Sequence, residues 1–235
     1  MILDVITALQ TKDMESLKWA VAGLLLSLPI IILALSVHET AHGLVAYKLG
    51  DSTAKNMGRL TLNPLKHLDP RGFICMVAFH FGWAKPVPIS TRNFKKPRRD
   101  MMLSSIAGPI SNILLALVFG GLLKIFYIIL DNLPPVPAEN VETLSNIFYV
   151  IGMILALGIM INVSFAVFNL LPIPPLDGSR VLYMFLPQKY LLLFIQYERY
   201  ISLGLLALLA LGVLDFPLSF ISNHIINLIY FIYQF

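Results

Sequence analysis

The chain has 235 residues, 57% of them hydrophobic and 13% charged, where a soluble domain carries about 25% charged residues. This excludes a water-soluble globular fold and implies an integral membrane protein. Of the seventeen Lys and Arg, eleven fall between Lys48 and Arg99; such a cluster reads as a cytoplasmic loop and not as a nucleic-acid surface. The single cysteine, Cys75, excludes an internal disulfide and a thiolate zinc cluster, so a metal would have to be held by His, Asp or Glu.

Residues 1–17 carry Ile2, Val5, Ile6 and Leu9 at helical spacing against Asp4, Lys12, Asp13 and Glu15, which predicts a short interfacial helix. No basic start precedes its apolar part and no small-residue cleavage site follows, so it does not read as a signal peptide. The first span is expected at about 19–49. At 1.5 Å per residue this is roughly 45 Å, more than the ~30 Å of hydrocarbon, so the helix should tilt or protrude. Near its C-terminal end stands His38-Glu39-Thr40-Ala41-His42. Histidines four apart lie one turn from each other on one helix face and can reach one metal ion, with Glu39 beside them as a general base. Ionisable groups within an apolar span cost about 2.5–3.5 kcal/mol each and mark a functional site.

From Gly50 to about Asp100, Gly, Pro, Asn and basic residues recur. Phe73 to Trp83 is apolar but too short to span, and Gly82-Trp83-Ala84-Lys85-Pro86-Val87-Pro88-Ile89 reads as extended. A β-hairpin or loop associated with the membrane edge is expected here, tolerated only where protein or a wet cavity supports the backbone. His80 reads as an ordinary interfacial histidine and His67 as a solvated loop residue.

The second span is expected at about 101–130, with Gly108-Pro109-Ile110-Ser111-Asn112 near its start. The loop 131–142 has acids but no Lys or Arg and is placed outside the cytoplasm. The third span, about 144–170, runs into Asn169-Leu170-Leu171-Pro172-Ile173-Pro174-Pro175-Leu176-Asp177-Gly178. Three prolines in four residues cannot continue a helix, so the chain must unwind there. Ser179 to Leu186 reads as a short helix, and two further spans are expected at about Tyr190–Leu214 and Phe216–Tyr233. In the last, His224 with Asn223 and Asn227 suits a helix contact. With the basic loop cytoplasmic, the His-Glu motif, Asn112 and Asp177 can all reach a site between that face and the midplane. Taken alone, Asp177 reads as a helix N-cap.

Three motifs in this order, His38-Glu39-xx-His42, Gly108-Pro109-xx-Asn112 and Asn169-xx-Pro172-xx-Pro175-Leu176-Asp177-Gly178, resemble the site-2 protease family of intramembrane zinc metalloproteases. The segment 82–88 is also similar to that family's membrane-associated hairpin. The resemblance covers about residues 20–186 and implies one zinc ion per chain held by His38, His42 and Asp177, with Glu39 as catalytic acid/base. Asn112 and Asn169 are assigned to holding substrate backbone or the oxyanion. It further implies an all-α polytopic fold: a three-helix catalytic core (19–186) and about two C-terminal helices (187–235), in a single domain over 1–235. The expected form is minimal, without an inserted PDZ or appended nucleotide-sensing domain.

The implied substrates are membrane proteins, of the signalling or transcription-control kind, cut in or near a transmembrane segment. The expected location is a prokaryotic cell membrane with the site toward the cytoplasm, and no nucleic-acid partner. Two other classes fit less well. A non-catalytic adaptor of this fold has no need of Glu39 and Asp177. A zinc or proton transporter should carry polar groups through the outer halves of the spans, where Lys124 is the one charged residue.

Overall fold

In a computed structural model, the structure describes residues 11, 13–79, 84–134, 137 and 140–235. The described residues form α1 (Met14–Lys48), α2 (Thr53–Asn56), α3 (Pro70–Phe79), α4 (Pro97–Asp131), α5 (Val141–Asn169), α6 (Asp177–Phe185), α7 (Gln188–Ala210) and α8 (Asp215–Tyr233), with 3-10 turns at Pro64–Lys66 and Thr91–Asn93. Five of them, α1, α4, α5, α7 and α8, are long and apolar enough to cross a membrane. The all-α polytopic architecture follows.

Helix α1 starts earlier than its apolar run. Asp13 caps it, accepting from the backbone N–H of Glu15 at 3.0 Å and of Ser16 at 3.2 Å, which satisfies donors that a helix start leaves open. Residues 14–17, expected in a separate interfacial segment, are therefore part of the first long helix; the rest of that segment, 1–10 and 12, lies outside the described residues. Further along, Ser36 returns its hydroxyl to the Ile32 carbonyl at 2.7 Å, which lets a polar side chain sit in an apolar span.

The expected β-hairpin between the first two core spans is corrected. Among the described residues no strand forms; Leu68 and Ala84 make an isolated antiparallel bridge. Most of the apolar stretch is helix α3 instead. Its start is well provided: Asp69 accepts from the N–H groups of Arg71 and Gly72 at 2.9 and 3.0 Å, and Pro70 takes the first turn, a position that suits proline because it has no N–H to satisfy. Residues 80–83, with His80 and Trp83, lie outside the described residues.

Asp51 anchors this connecting region. Its buried carboxylate accepts from the Thr53 N–H and hydroxyl, the Ser90 N–H at 2.7 Å and the Asn93 amide at 2.7 Å. Burial alone would raise its pKa, but these hydrogen bonds outweigh burial and hold the carboxyl below the usual carboxylate range. The end of α1 is thereby tied to the segment leading into α4.

Helix α4 is the central element and packs against α1, α5 and α6. Ala116, Phe119 and Leu123 of α4 meet Ile159, Val163 and Val167 of α5 and Ile229 of α8 in one buried cluster. Small residues let these helices approach, as is usual in membranes: a Cβ on Gly158 would lie 2.3 Å from Phe119 Cδ1. Helix α5 stops at Asn169, before the prolines, and the chain folds back through 170–176 into α6. Gly178 sits against that corner, where a Cβ would come within 2.2 Å of the Leu170 carbonyl oxygen. Helix α7 leaves many large apolar side chains outward, among them Leu192, Leu193 and Ile195, as a lipid-facing surface requires.

Candidate metal centre

The site is assembled from α1, α4 and the start of α6. His38 and His42, one turn apart on α1, are buried, with ring centroids 4.5 Å apart at 88°. Asp177 Oδ2 lies 3.0 Å from His38 Nε2 and 3.2 Å from His42 Nε2. The three ligand-type atoms all lie within 4.8 Å of one another.

What holds the rings fixes their chemistry. His42 Nδ1 faces the Ser104 carbonyl at 2.8 Å, and a carbonyl only accepts, so Nδ1 carries the proton. The contact is reciprocated: the Ser104 hydroxyl donates to the His42 carbonyl at 3.0 Å. His38 Nδ1 lies 2.6 Å from Asn112 Oδ1. That oxygen is identified by its partner nitrogen, which donates to the Ala34 carbonyl at 3.2 Å. His38 Nδ1 therefore also carries the proton.

In a neutral ring the other nitrogen, Nε2, then presents a lone pair. Two such lone pairs and a carboxylate oxygen converge, and only a cation, whether protons or a metal, relieves that arrangement. A tetrahedral zinc with bonds of about 2.0–2.1 Å spaces its ligand atoms roughly 3.3–3.4 Å apart. The observed 3.0 and 3.2 Å to the carboxylate need to open by only a few tenths of an ångström, and the two imidazole nitrogens stand within 4.8 Å, so the chemistry of the donor set suits zinc. A metal-bound imidazole that donates its other N–H to an amide or carbonyl is the usual supported arrangement.

The close approach of α4 is what brings these groups together. At Gly108 a Cβ would lie 2.5 Å from both Cε1 and Nε2 of His42 and 2.6 Å from His38 Cε1. Only glycine leaves room there. Glu39, also buried, accepts from the Val87 N–H at 2.9 Å through Oε2. Pro86 and Pro88 have no N–H, so this is the one backbone donor in residues 86–88. Thr40 donates to the Thr61 carbonyl at 2.7 Å, which also accepts from His67 Nε2 at 2.6 Å.

Of the residues singled out from the sequence, His38, His42 and Asp177 converge, Asn112 bonds His38, and Glu39 is buried next to His38 in α1 with its carboxylate on the Val87 N–H. Asn169 is at the end of α5; its amide nitrogen donates to the Phe165 carbonyl at 2.9 Å in its own helix. His67, expected in solvent, is 1% exposed and pins the 61–68 loop internally. His224 bonds the Phe220 carbonyl of its own helix at 2.8 Å. Sequence reasoning missed Ser104, Val87 and Asn162. Asn162 is fully buried and its Oδ1 accepts from Asn112 Nδ2 at 2.9 Å. A signal for it existed: an amide within an apolar span, seven residues and so two turns before Asn169 on the same face.

Comparison with known proteins bears on this geometry. The sequence pattern of Peptidase family M50 matches residues 26–211, a stretch that contains every residue of the site. The chain belongs to peptidase family M50. Among curated relatives, "Putative zinc metalloprotease YwhC" of Bacillus subtilis (strain 168) is 45% identical over 152 residues, 65% of this chain and 65% of that protein. "Putative zinc metalloprotease Rip2" of Mycolicibacterium smegmatis (strain ATCC 700084 / mc(2)155) is 32% identical over 151 residues, 63% of this chain and 52% of that protein. The chain thus spans less than two thirds of the length of either relative. No solved structure matches this M50 chain.

Proposed function

We propose that this chain is an intramembrane zinc endopeptidase that hydrolyses peptide bonds in or near transmembrane segments of other membrane proteins. The observation that carries the reading is the donor set: two imidazoles whose Nε2 atoms lie 3.0 and 3.2 Å from one carboxylate oxygen, with the buried carboxylate of Glu39 next to His38 in the same helix. His38, His42 and Asp177 would hold the ion. When bound, zinc supplies a Lewis acid that polarises the scissile carbonyl and lowers the pKa of the attacking water toward about 7.

The remaining work falls to the chain's own groups. Glu39 takes the proton of the water and passes it to the leaving amine. Val87 holds Glu39 by Oε2, which leaves Oε1 as the oxygen that moves the proton. Asn112 is assigned a positioning role, since its oxygen serves His38 and its nitrogen serves Ala34 and Asn162; turning to a substrate would break those bonds. Asn169 is assigned to substrate backbone. A peptide within a membrane helix has its carbonyls already bonded, so it must unwind before attack. The segment 84–90 is the surface for the unwound strand, although at 86–88 it offers carbonyl acceptors only.

Orientation follows from charge. The basic residues of 48–99 support a reading with that face, and with it the site, at the cytoplasmic side of a cell membrane. Membrane-bound signalling or transcription-control proteins are the proposed substrate class, on the strength of the family. The test is Glu39→Gln in the purified protein, with zinc content and cleavage of a model transmembrane peptide measured together. Zinc retained with cleavage lost supports the protease. Absence of cleavage by the parent, with zinc flux into vesicles persisting in the variant, would overturn it in favour of a transporter.

A further inference from the structure

Asn162 has no place in the three motifs, yet it is one of the most deeply buried polar side chains, at 0% exposure, as is Asn112. It lies in the middle of α5 among Ile159 and Val163, also 0% exposed. An amide placed there must find partners, and it finds two. Its Nδ2 donates to the Gly158 carbonyl one turn back at 2.8 Å, and its Oδ1 accepts from Asn112 Nδ2 at 2.9 Å. The Gly158 carbonyl can only accept, so the orientation of the Asn162 amide is determined. The bonds then run in one sense across three helices: Asn162 to Gly158 within α5, Asn112 of α4 to Asn162, and His38 of α1 to Asn112 at 2.6 Å.

This sense matters for the ion. An Asn112 amide turned by half a rotation would present N–H to His38 Nδ1. The ring would then have to carry its proton on Nε2, the nitrogen aimed at Asp177. Two contacts oppose that rotation. Reversed, the Asn112 oxygen would face the Ala34 carbonyl, now 3.2 Å from Nδ2, and the Asn162 oxygen, now 2.9 Å away. Asn162 supplies the shorter of the two.

We propose that Asn162 is a positioning residue for zinc, which locks the Asn112 amide and through it keeps the His38 Nε2 lone pair free for the metal. The proposal rests on the zinc reading above. Partners one step removed from a ligand typically change metal affinity by about 10–100-fold when lost. Asn162→Leu keeps the branched shape and removes the acceptor. Asn162→Ser is too short to reach Asn112 and can return its hydroxyl to the Gly158 carbonyl. Asn162→Asp in its neutral form keeps the shape and both bonds: the carboxyl O–H can donate to the Gly158 carbonyl while the other oxygen accepts from Asn112.

The experiment measures zinc affinity of the full-length, detergent-solubilised protein by chelator competition. Alongside it, NMR of 15N-histidine-labelled, zinc-loaded protein follows the His38 Nδ1 proton. The expected result is a loss of about tenfold or more in affinity for Asn162→Leu and Asn162→Ser, with faster solvent exchange of that proton, while Asn162→Asp stays close to the parent. A purely structural role would lower the unfolding temperature and leave both readouts unchanged. A loss under about fivefold in either folded variant overturns the proposal, as does an Asp variant as weak as the Ser variant. Failure of the parent to bind zinc would instead bring down the metal reading, and this inference with it.

Discussion

Gly108→Ala tests the idea that helix proximity, and not ligand identity alone, builds the centre. The added Cβ would start 2.5 Å from His42 Cε1 and Nε2 and 2.6 Å from His38 Cε1. Carbon atoms rest about 3.5–4.0 Å apart, so roughly 1 Å of movement is needed. The rings cannot yield freely, because the Ser104 carbonyl and the Asn112 oxygen hold them at 2.8 and 2.6 Å. The backbone of α4 is held by its packing on α1 and α5. Metal–ligand distances tolerate only about 0.2 Å. Overpacking of this kind costs about 1–3 kcal/mol; if it falls on the metal-bound state, zinc affinity drops by about 5- to 150-fold, at 1.4 kcal/mol per tenfold. The assay is zinc affinity of the purified variant by chelator competition, with thermal unfolding of the zinc-free protein as control. A Gly108→Ala variant that binds zinc within twofold of the parent would refute the reasoning.

Removing the proton carrier should separate binding from chemistry: Glu39→Gln is expected to keep one zinc per chain and to lose about 10²–10⁴ in cleavage rate, read from metal analysis and peptide turnover. At Asp51 the folded carboxyl titrates below its ordinary range, so its stabilisation is complete above the unfolded pKa of about 4 and is lost as pH falls through the lower folded value. Asp51→Ala should destabilise the protein by about 1.5–3 kcal/mol at neutral pH and flatten the acid limb of its unfolding-temperature profile; an unchanged limb would remove Asp51 from that role. Gly158→Ala puts a Cβ 2.3 Å from Phe119 Cδ1 and should lower stability by about 1–3 kcal/mol. Thermal unfolding reads the loss, and a variant as stable as the parent would show that α4 and α5 are not in close contact there.

The spans were legible because a membrane chain must write them as long apolar runs, and the His38–His42 pairing because a helix turn sets that spacing. Asp177 was legible through its prolines, which force the chain to turn back. Other parts were not. Helix α3 was read as hairpin because an apolar stretch of ten or so residues looks alike in either state; the deciding features are local, in the cap that Asp69 provides. In a span that is apolar all round, the sequence does not say which face meets a neighbour, so Asn162 could not be paired with Asn112. Contacts through main-chain atoms, Val87 N–H to Glu39 and the Ser104 carbonyl to His42, carry no side-chain signature at all.

The proposed ligands come from positions 139 residues apart, His38 and Asp177, and this sets an order on assembly. The residues that bond the histidines of α1, Ser104 and Asn112, and the third proposed ligand all follow that helix in the chain. The centre cannot be completed until α4 has docked, α5 has ended and the chain has turned back through the prolines. On the zinc reading, metal loading is expected late in assembly, and a chain truncated before residue 177 is expected to keep its first three spans and lack a proposed ligand.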